Sequence, residues 1–374
     1  MKWSWRVGSI AGIALHVHAT FLILLAWLGI REYQTSGSAA SAVNGVVFVL
    51  AVFATVVLHE LGHAFAARRY GIKTRDITLL PIGGVARLER MPREPKQELI
   101  VALAGPAVNV VLGALFYLLL RVTGGVPATL ETGAMSAGIL EREFLAQLLA
   151  VNIWLVLFNM IPAFPMDGGR VLRAVLAMRN GDYARATERA ARVGKFFALL
   201  FAIVGFFIVG NPLLVFIALF VWLGAAGEAA AAQTTATLDG VPIQALMITD
   251  VRTLATRDPL ARAVDLILDG FQQDFPVVEG DVVRGMLTRR RLLKALAESG
   301  DQTSVGDVME REFQQAAPSE PAEVVLARLN NCGCHSLPVI DRGRLLGVLT
   351  MDNVGEYVMV QAALRGDKAQ FVPA

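Results

Sequence analysis

Cysteine and charge are both scarce in this chain, and each shortage removes a class of protein. Cys332 and Cys334 are the two cysteines among 374 residues, too few for the disulfide framework of a small secreted domain. One residue apart, they have poor spacing for bonding to each other, so free thiols and a reducing compartment are expected. Asp, Glu, Lys and Arg make up 18% of the chain against 55% hydrophobic residues, and the mean hydropathy is +0.54. An ordinary water-soluble enzyme of this length needs more polar surface than that, so a membrane protein is the first expectation. A net charge of +2 gives no reason to expect nucleic acid as a partner. Histidine is also rare, with five in all, so any local cluster of them carries information.

The apolar residues gather before about residue 235. Six segments stand out: 10–30, 43–67, 98–120, 145–162, 196–210 and 213–231. Several reach the roughly 20 residues that a spanning helix needs. The first follows Met1–Arg6 without a small-residue cleavage site, so it reads as an uncleaved span rather than a signal peptide. Asn211-Pro212 reads as a tight turn between two antiparallel spans, a re-entrant pair being the alternative. Lys2 and Arg6 precede the first span. The loop after the second holds Arg68, Arg69, Lys73, Arg75, Arg87, Arg90, Arg93 and Lys96. The loop after the fourth holds Arg170, Arg173, Arg179, Arg185, Arg189, Arg192 and Lys195, whereas the alternate loops hold only Arg31, Arg121 and Arg142. Basic residues mark cytoplasmic loops, which places both termini in the cytoplasm.

From Pro242 the composition turns soluble, and the chain repeats itself at an offset of 62 residues. Met247 recurs as Met309, Pro259 as Pro321, Pro276 as Pro338, Gly285 as Gly347 and Thr288 as Thr350. Each copy reads helix, strand, turn, strand, helix.

The chemistry lies in the apolar part. His59-Glu60-Leu61-Gly62-His63 falls in the second apolar segment. Residues four apart share a helix face, so both imidazoles can reach one metal ion, and Glu60 is placed to handle a proton from the attacking water. Ionisable side chains at membrane depth are costly and are retained for function. Two imidazoles do not complete a zinc site, so a third ligand must come from elsewhere. Asp167 is the candidate: Pro162 and Pro165 end the fourth span and Gly168-Gly169 permit a close turn, returning a carboxylate toward the membrane. The second and fourth spans run in the same direction, which brings His63 and Asp167 to the same, cytoplasmic, end.

HELGH at 59–63 together with NMIPAFPMDGG at 159–169 resembles the site-2 protease family of intramembrane zinc metalloproteases, in the branch with paired cystathionine-β-synthase (CBS) modules. The resemblance implies a multi-pass α-helical membrane domain of about six spans over 1–235, then a soluble α/β CBS pair over 241–360. The pair divides into 241–300 and 303–360, and a tail covers 361–374. It implies one Zn2+ per chain on His59, His63 and Asp167, with Glu60 as the catalytic acid and base and Asn159 positioning substrate or polarising its carbonyl. A membrane-anchored regulatory protein is the implied substrate, and the cell membrane of a prokaryote the implied location. For 76–89, DITLLPIGGVARLE, the resemblance suggests a membrane-facing strand or hairpin able to pair with an unwound substrate. The bland alternative there is an amphipathic loop.

The resemblance to paired CBS modules suggests an adenine nucleotide in the cleft between them, and a homodimer through the pair. Here the places of the ribose-binding aspartate hold Arg291 and Asn353, with Asp352 one residue early. A structural or dimerising role for the pair is the alternative to nucleotide sensing. Asn109, in the Gly-Pro-containing third span, is read as a packing residue with a cavity-lining role second, and His16 and His18 as interior histidines of the first span. Cys332-Gly-Cys334-His335 reads as a turn with incidental thiols, because no second ligand cluster accompanies it. Two other readings of the whole chain compete, a CBS-regulated transporter or channel and an inactive scaffold of protease ancestry. The first has no use for HExxH with DGG, and the intact Glu60 argues against the second.

Overall fold

The first apolar segment does not begin as a helix. In the computed structural model, which describes residues 3–89, 91–92, 94–122, 141–270, 272–332 and 334–364, strands β1 (Ser4–Ile10) and β2 (Ile13–His18) form a hairpin before α1 (Ala19–Ser36) starts. The expected span over 10–30 is corrected accordingly. Ala11 and Gly12 both have positive φ, the conformation a two-residue hairpin turn demands. His16 therefore sits on a strand, and His18 is the N-cap of α1, where its ring accepts from the Thr20 N–H. Neither lies inside a span.

Helix α2 (Ala39–Arg68) is followed by β3 (Thr74–Leu80) and β4 (Gly83–Leu88). The 76–89 segment is thus a hairpin, not a loop. The four strands make one sheet in the order β1-β2-β3-β4, with β2 and β3 parallel and β4 on an edge. Ile77 and Leu79 point from β3 into an apolar core with Ile13, Phe21, Phe53, Val57 and Leu61, which fixes the sheet against α1 and α2.

Four further helices follow: α3 (Pro95–Val122), α4 (Glu141–Asn159), α5 (Asp167–Asn180) and α6 (Tyr183–Ile203), the last continuing as a π-turn through Ile208. Helix α7 (Pro212–Leu238) comes next. Among the described residues, four helices are long and apolar enough to cross a bilayer: Ala39–Arg68, Pro95–Val122, Tyr183–Ile208 and Pro212–Leu238. Glu143–Asn159 is a shorter apolar helix. Helix α3 is the hub of this unit, packing on α2, α4 and α5. Gly62 lets α2 approach it closely, since a Cβ there would lie 2.7 Å from the Ala104 carbonyl oxygen.

The chain divides into two compact units, Met1–Ala232 and Gln233–Ala374. In the second, the first repeat holds β5 (Leu254–Ala255), α8 (Leu260–Leu268), β6 (Phe275–Glu279), β7 (Val282–Leu287) and α9 (Arg289–Ser299). The second repeat holds α10 (Val305–Val308), α11 (Ala322–Cys332), β8 (Ser336–Asp341), β9 (Arg344–Thr350) and α12 (Met351–Leu364). The sheet order β5-β6-β7-β9-β8 joins the copies through β7 and β9. Each copy also lends its opening segment to the other. Met286 and Glu310 exchange backbone hydrogen bonds of 2.9 and 2.8 Å, and Ile248 and Val348 exchange two of 2.9 Å. The glycines at equivalent places admit this: a Cβ at Gly285 would lie 2.7 Å from Met309 Sδ, and one at Gly347 would lie 2.3 Å from the Ile248 carbonyl oxygen. Residues 365–374 of the expected tail lie outside the described residues, as do Lys2, Arg90 and Arg93 of the orientation argument.

Cys332 and Cys334 are joined as a disulfide, against the expectation of free thiols. Their Cα atoms lie 5.2 Å apart, within the range a disulfide spans.

Candidate metal centre

The metal-binding pattern on α2 is presented to α3 and the start of α5. His59 and His63 lie on one face and are both buried. Their ring nitrogens divide by role. His59 Nδ1 donates to Asn109 Oδ1 at 2.9 Å, and His63 Nδ1 donates to the Val101 carbonyl at 2.7 Å. Both partners come from α3. With each Nδ1 carrying the proton, both Nε2 lone pairs are free for a metal.

Gly105 makes the approach possible. A Cβ there would lie 2.2 Å from His63 Nε2 and 2.7 Å from His59 Nε2, so only glycine lets the α3 backbone pass so near the two rings. One residue on, Pro106 lacks an N–H for the helical ladder.

Asp167 arrives from the break after α4. Helix α4 stops at Asn159, and Met166 begins α5 without a side-chain cap, which makes Asp167 the first helical residue. It is not a plain capping aspartate. Gly168 and Gly169 are required by the tight turn: a Cβ at the first would lie 2.3 Å from the Ile161 carbonyl oxygen, and at the second 2.6 Å from the Phe164 nitrogen. The buried carboxylate places Oδ2 at 3.2 Å from His59 Nε2 and 3.1 Å from His63 Nε2. The two Nε2 atoms are themselves 3.1 Å apart.

These three edges test the site for a metal. A tetrahedral zinc ion with donors at about 2.0–2.1 Å separates them by about 3.3 Å. The triangle is therefore zinc-sized, and its donor chemistry of two neutral imidazoles and a carboxylate is that of an open catalytic site. Among the described residues this is the one cluster of three or more His, Cys, Asp or Glu arranged to hold a metal.

Glu60 lies beside the triangle and against β4, where a Cβ on Gly84 would come within 3.0 Å of its Cγ. Arg170, three residues beyond Asp167, exerts its charge on Glu60, Asp167 and Glu98, and its Nε is buried without a partner among the described residues. Asn159 closes α4 half-buried and takes no part in the hydrogen bonds of the cluster. Behind Asp167, Arg173 donates from Nε to Glu98 at 2.7 Å and from Nη1 to Glu228 at 2.7 Å, and its guanidinium stacks over the Phe164 and Tyr183 rings. This buried ion cluster ties α5 to α3 and α7.

The orienting groups Asn109, Val101 and Gly105 were not assigned to the metal from the sequence. Two of them act through a backbone, which leaves no side-chain signature. The one available signal was Asn109 itself, an amide that must find a partner at membrane depth.

In the second unit, a cleft of about 810 Å3 is lined by Asp250, Arg252, Thr350, Asp352 and Asn353 among others. Arg291 is turned instead to Glu310, at 2.6 Å.

The sequence profile of peptidase family M50 matches residues 47–137 and 122–203, and that of the CBS domain matches 243–298 and 305–359. A zinc metalloprotease of Methanocaldococcus jannaschii is 30% identical over 355 residues, covering 95% of this chain and 96% of the relative. The protein named Rip3 in Mycobacterium tuberculosis is 30% identical over 382 residues, covering 96% of this chain and 94% of its own. A solved site-2 protease structure from Methanocaldococcus jannaschii is 36% identical, with a TM-score of 0.44, and covers 61% of this chain and 95% of that one. Identity that runs almost end to end with such relatives settles the assignment: the chain belongs to peptidase family M50, the site-2 type of intramembrane zinc metalloprotease, in the form that carries a pair of CBS domains.

Proposed function

We propose that this member of the family is an endopeptidase that cuts membrane-anchored regulatory proteins, and that His59, His63 and Asp167 hold one zinc ion per chain. The observation that carries the reading is the convergence of three donor atoms, from α2 and the start of α5, on one point at separations of 3.1–3.2 Å. Zinc held there would activate a water molecule and polarise the scissile carbonyl. Glu60, adjacent to the first ligand, takes the proton from the attacking water and returns it to the leaving amide nitrogen. Asn159, on the last turn of α4, positions the substrate.

The substrate reaches Glu60 along β4. That strand is an edge of its sheet, and Gly84 sits against Glu60. An unwound peptide added to this edge would lay its backbone beside the base. Helices α1 and α4 complete six spans with the four long ones, which fits the distribution of basic residues and puts both termini in the cytoplasm of a prokaryotic cell. The archaeal and bacterial sources of the relatives support that location.

The CBS pair regulates the protease by binding an adenine nucleotide in the cleft that contains Asp352 and Asn353, and it pairs two chains as a homodimer. The test of the catalytic assignment uses purified protein and a membrane-helix substrate. About one zinc per chain is expected in both wild type and Glu60→Gln, since Glu60 is not a ligand, and cleavage only in wild type. Equal cleavage by the two proteins would remove Glu60 from its role.

A further inference from the structure

Helix α3 orients both histidines of the candidate centre, but it does not account for the place of Asp167. That residue opens α5 with no side-chain cap before it. Its position is set by the chain on either side, the break at 163–166 before it and Arg173 after it. Helix α7 grips both. Ala163 and Met166 share an apolar cluster with Val221 of α7, and Phe164 shares one with Ala225. Pro165 lies against Gly224, where a Cβ would come within 2.7 Å of Pro165 Cδ and 3.1 Å of its nitrogen. On the far side of Asp167, Glu228 accepts from Arg173 Nη1 at 2.7 Å, and the same guanidinium lies 4.9 Å over the Phe164 ring.

Val221, Gly224, Ala225 and Glu228 fall at i, i+3, i+4 and i+7, so one face of α7 makes all four contacts. Their order along the helix is a buried apolar residue, a bare backbone, a buried methyl group and a carboxylate. The bare backbone meets a proline, whose ring fixes φ. Pressure on that ring passes into the backbone two residues before Asp167. Donor edges of 3.1–3.2 Å leave a displaced carboxylate little room before it loses the point it shares with the two imidazoles.

We propose that α7 seats the aspartate of the metal centre, and that Gly224 and Glu228 are positioning residues for it, the first acting through Pro165 and the second through Arg173. The division of labour is then by helix: α3 orients the histidines and α7 places the carboxylate. The inference rests on Asp167 being a zinc ligand.

The experiment measures zinc release from the full-length protein into excess chelator. Gly224→Ala is expected to speed release about 10–100-fold, the range for groups that orient a metal ligand. Two controls share its chemistry. Gly227→Ala makes the same gain in helix propensity on the same helix, but a Cβ there meets nothing within 4 Å. Gly205→Ala crowds α7 as closely, with a Cβ 2.7 Å from that of Leu214, yet at the turn between α6 and α7 rather than at the break. Both should release zinc within about twofold of the wild-type rate, as substitutions away from a special feature do. Glu228→Gln, which weakens a half-exposed ion pair, should speed release about threefold to fivefold. Release from Gly224→Ala no faster than from Gly205→Ala, or a wild-type rate in Glu228→Gln, would overturn the proposal. Should Gly224→Ala not fold, Glu228→Gln read against Gly227→Ala decides it. Asp167→Ala separates this inference from the reading beneath it. If that variant keeps zinc as wild type does, the ligand assignment fails; if it loses zinc while Gly224→Ala does not, only the seat on α7 fails.

Discussion

The two imidazoles and the carboxylate converge only because a residue with no side chain stands where α3 passes them. Gly105→Ala would force a methyl group to 2.2 Å from His63 Nε2, well inside van der Waals contact, so either α3 or the His63 ring that Val101 holds must shift off the site. The expected outcome is protein that is folded yet retains less than about a tenth of the wild-type zinc, in line with the cost of disturbing a ligand's surroundings. Metal analysis of the purified variant checks it, and a full zinc complement would show that α3 does not crowd the site. The three side chains proposed as ligands were singled out from the sequence, since spacing of four on a helix and a Pro-and-Gly break before an aspartate are local patterns. Their orienters were not. Val101, Gly105 and Asn109 lie some forty to fifty positions from the histidines they serve, and only helix packing brings them there.

Among the elements, four of the six expected spans are helices long and apolar enough to cross a bilayer among the described residues, and the first hairpin was not foreseen. Residues 10–30 form one apolar run, and hydropathy alone cannot separate a strand pair from the start of a span. The signs were present in the alternation of Ile13-Ala-Leu-His-Val-His18 and in Ala11-Gly12 as a two-residue turn. The second hairpin carries a prediction of its own. Arg87 donates to Asp76 across β3 and β4, from Nε at 2.8 Å. These bonds, with the charge of Arg87 and against the effect of burial, hold the Asp76 carboxyl below the usual range. A carboxylate depressed in the folded state stabilises it above the unfolded pKa of about 3.9, and that contribution is lost as pH falls through the lower folded value. Wild type should therefore melt above Asp76→Asn at pH 7, with the gap narrowing as pH falls below about 3.9. Parallel thermal melts decide this; a gap that does not narrow in acid rejects the pairing as its cause.

A second prediction at this scale concerns the ion cluster behind Asp167. Arg173 is 3% exposed and Glu98 is 0%. Removing one partner of such a pair strands the other, so Arg173→Met is expected to cost about 3–5 kcal/mol. Adding Glu98→Gln should recover part of the loss, since the stranded charge is then gone. Denaturant titration of both variants measures the two effects. A double variant no more stable than Arg173→Met alone would place the cost in lost packing over Phe164 and Tyr183 instead.

At the scale of the whole molecule, the candidate metal centre and the CBS pair occupy different stretches of chain. His59, Glu60, His63 and Asp167, with Asn109, Val101 and Arg173 around them, all fall within Met1–Ala232. The second unit has its own apolar cores, one around Leu254, Phe275 and Leu287 and the other around Ile243, Leu329 and Leu337. The expectation of a separate soluble part rested on the change of composition from Pro242 and on a 62-residue repeat with matched Met, Pro, Gly and Thr anchors. The internal exchange of opening segments was not readable, because such pairing depends on the two copies meeting face to face. The separation has a testable consequence. Leu238, the last residue of α7, is 2% exposed in the second unit's core, so a chain ending at Gly240 leaves that side chain uncovered and is best made with Leu238→Ser. Such a chain should still hold about one zinc, since no ligand or orienting group has been removed. If the CBS pair senses an adenine nucleotide, the full chain's cleavage rate should change on titration with ATP or AMP, and the shortened chain's rate should not. Metal analysis and cleavage assays on both proteins supply the comparison. A shortened chain free of zinc would mean that the metal centre depends on the repeats, whereas a nucleotide response kept after their removal would place the sensor in the membrane unit.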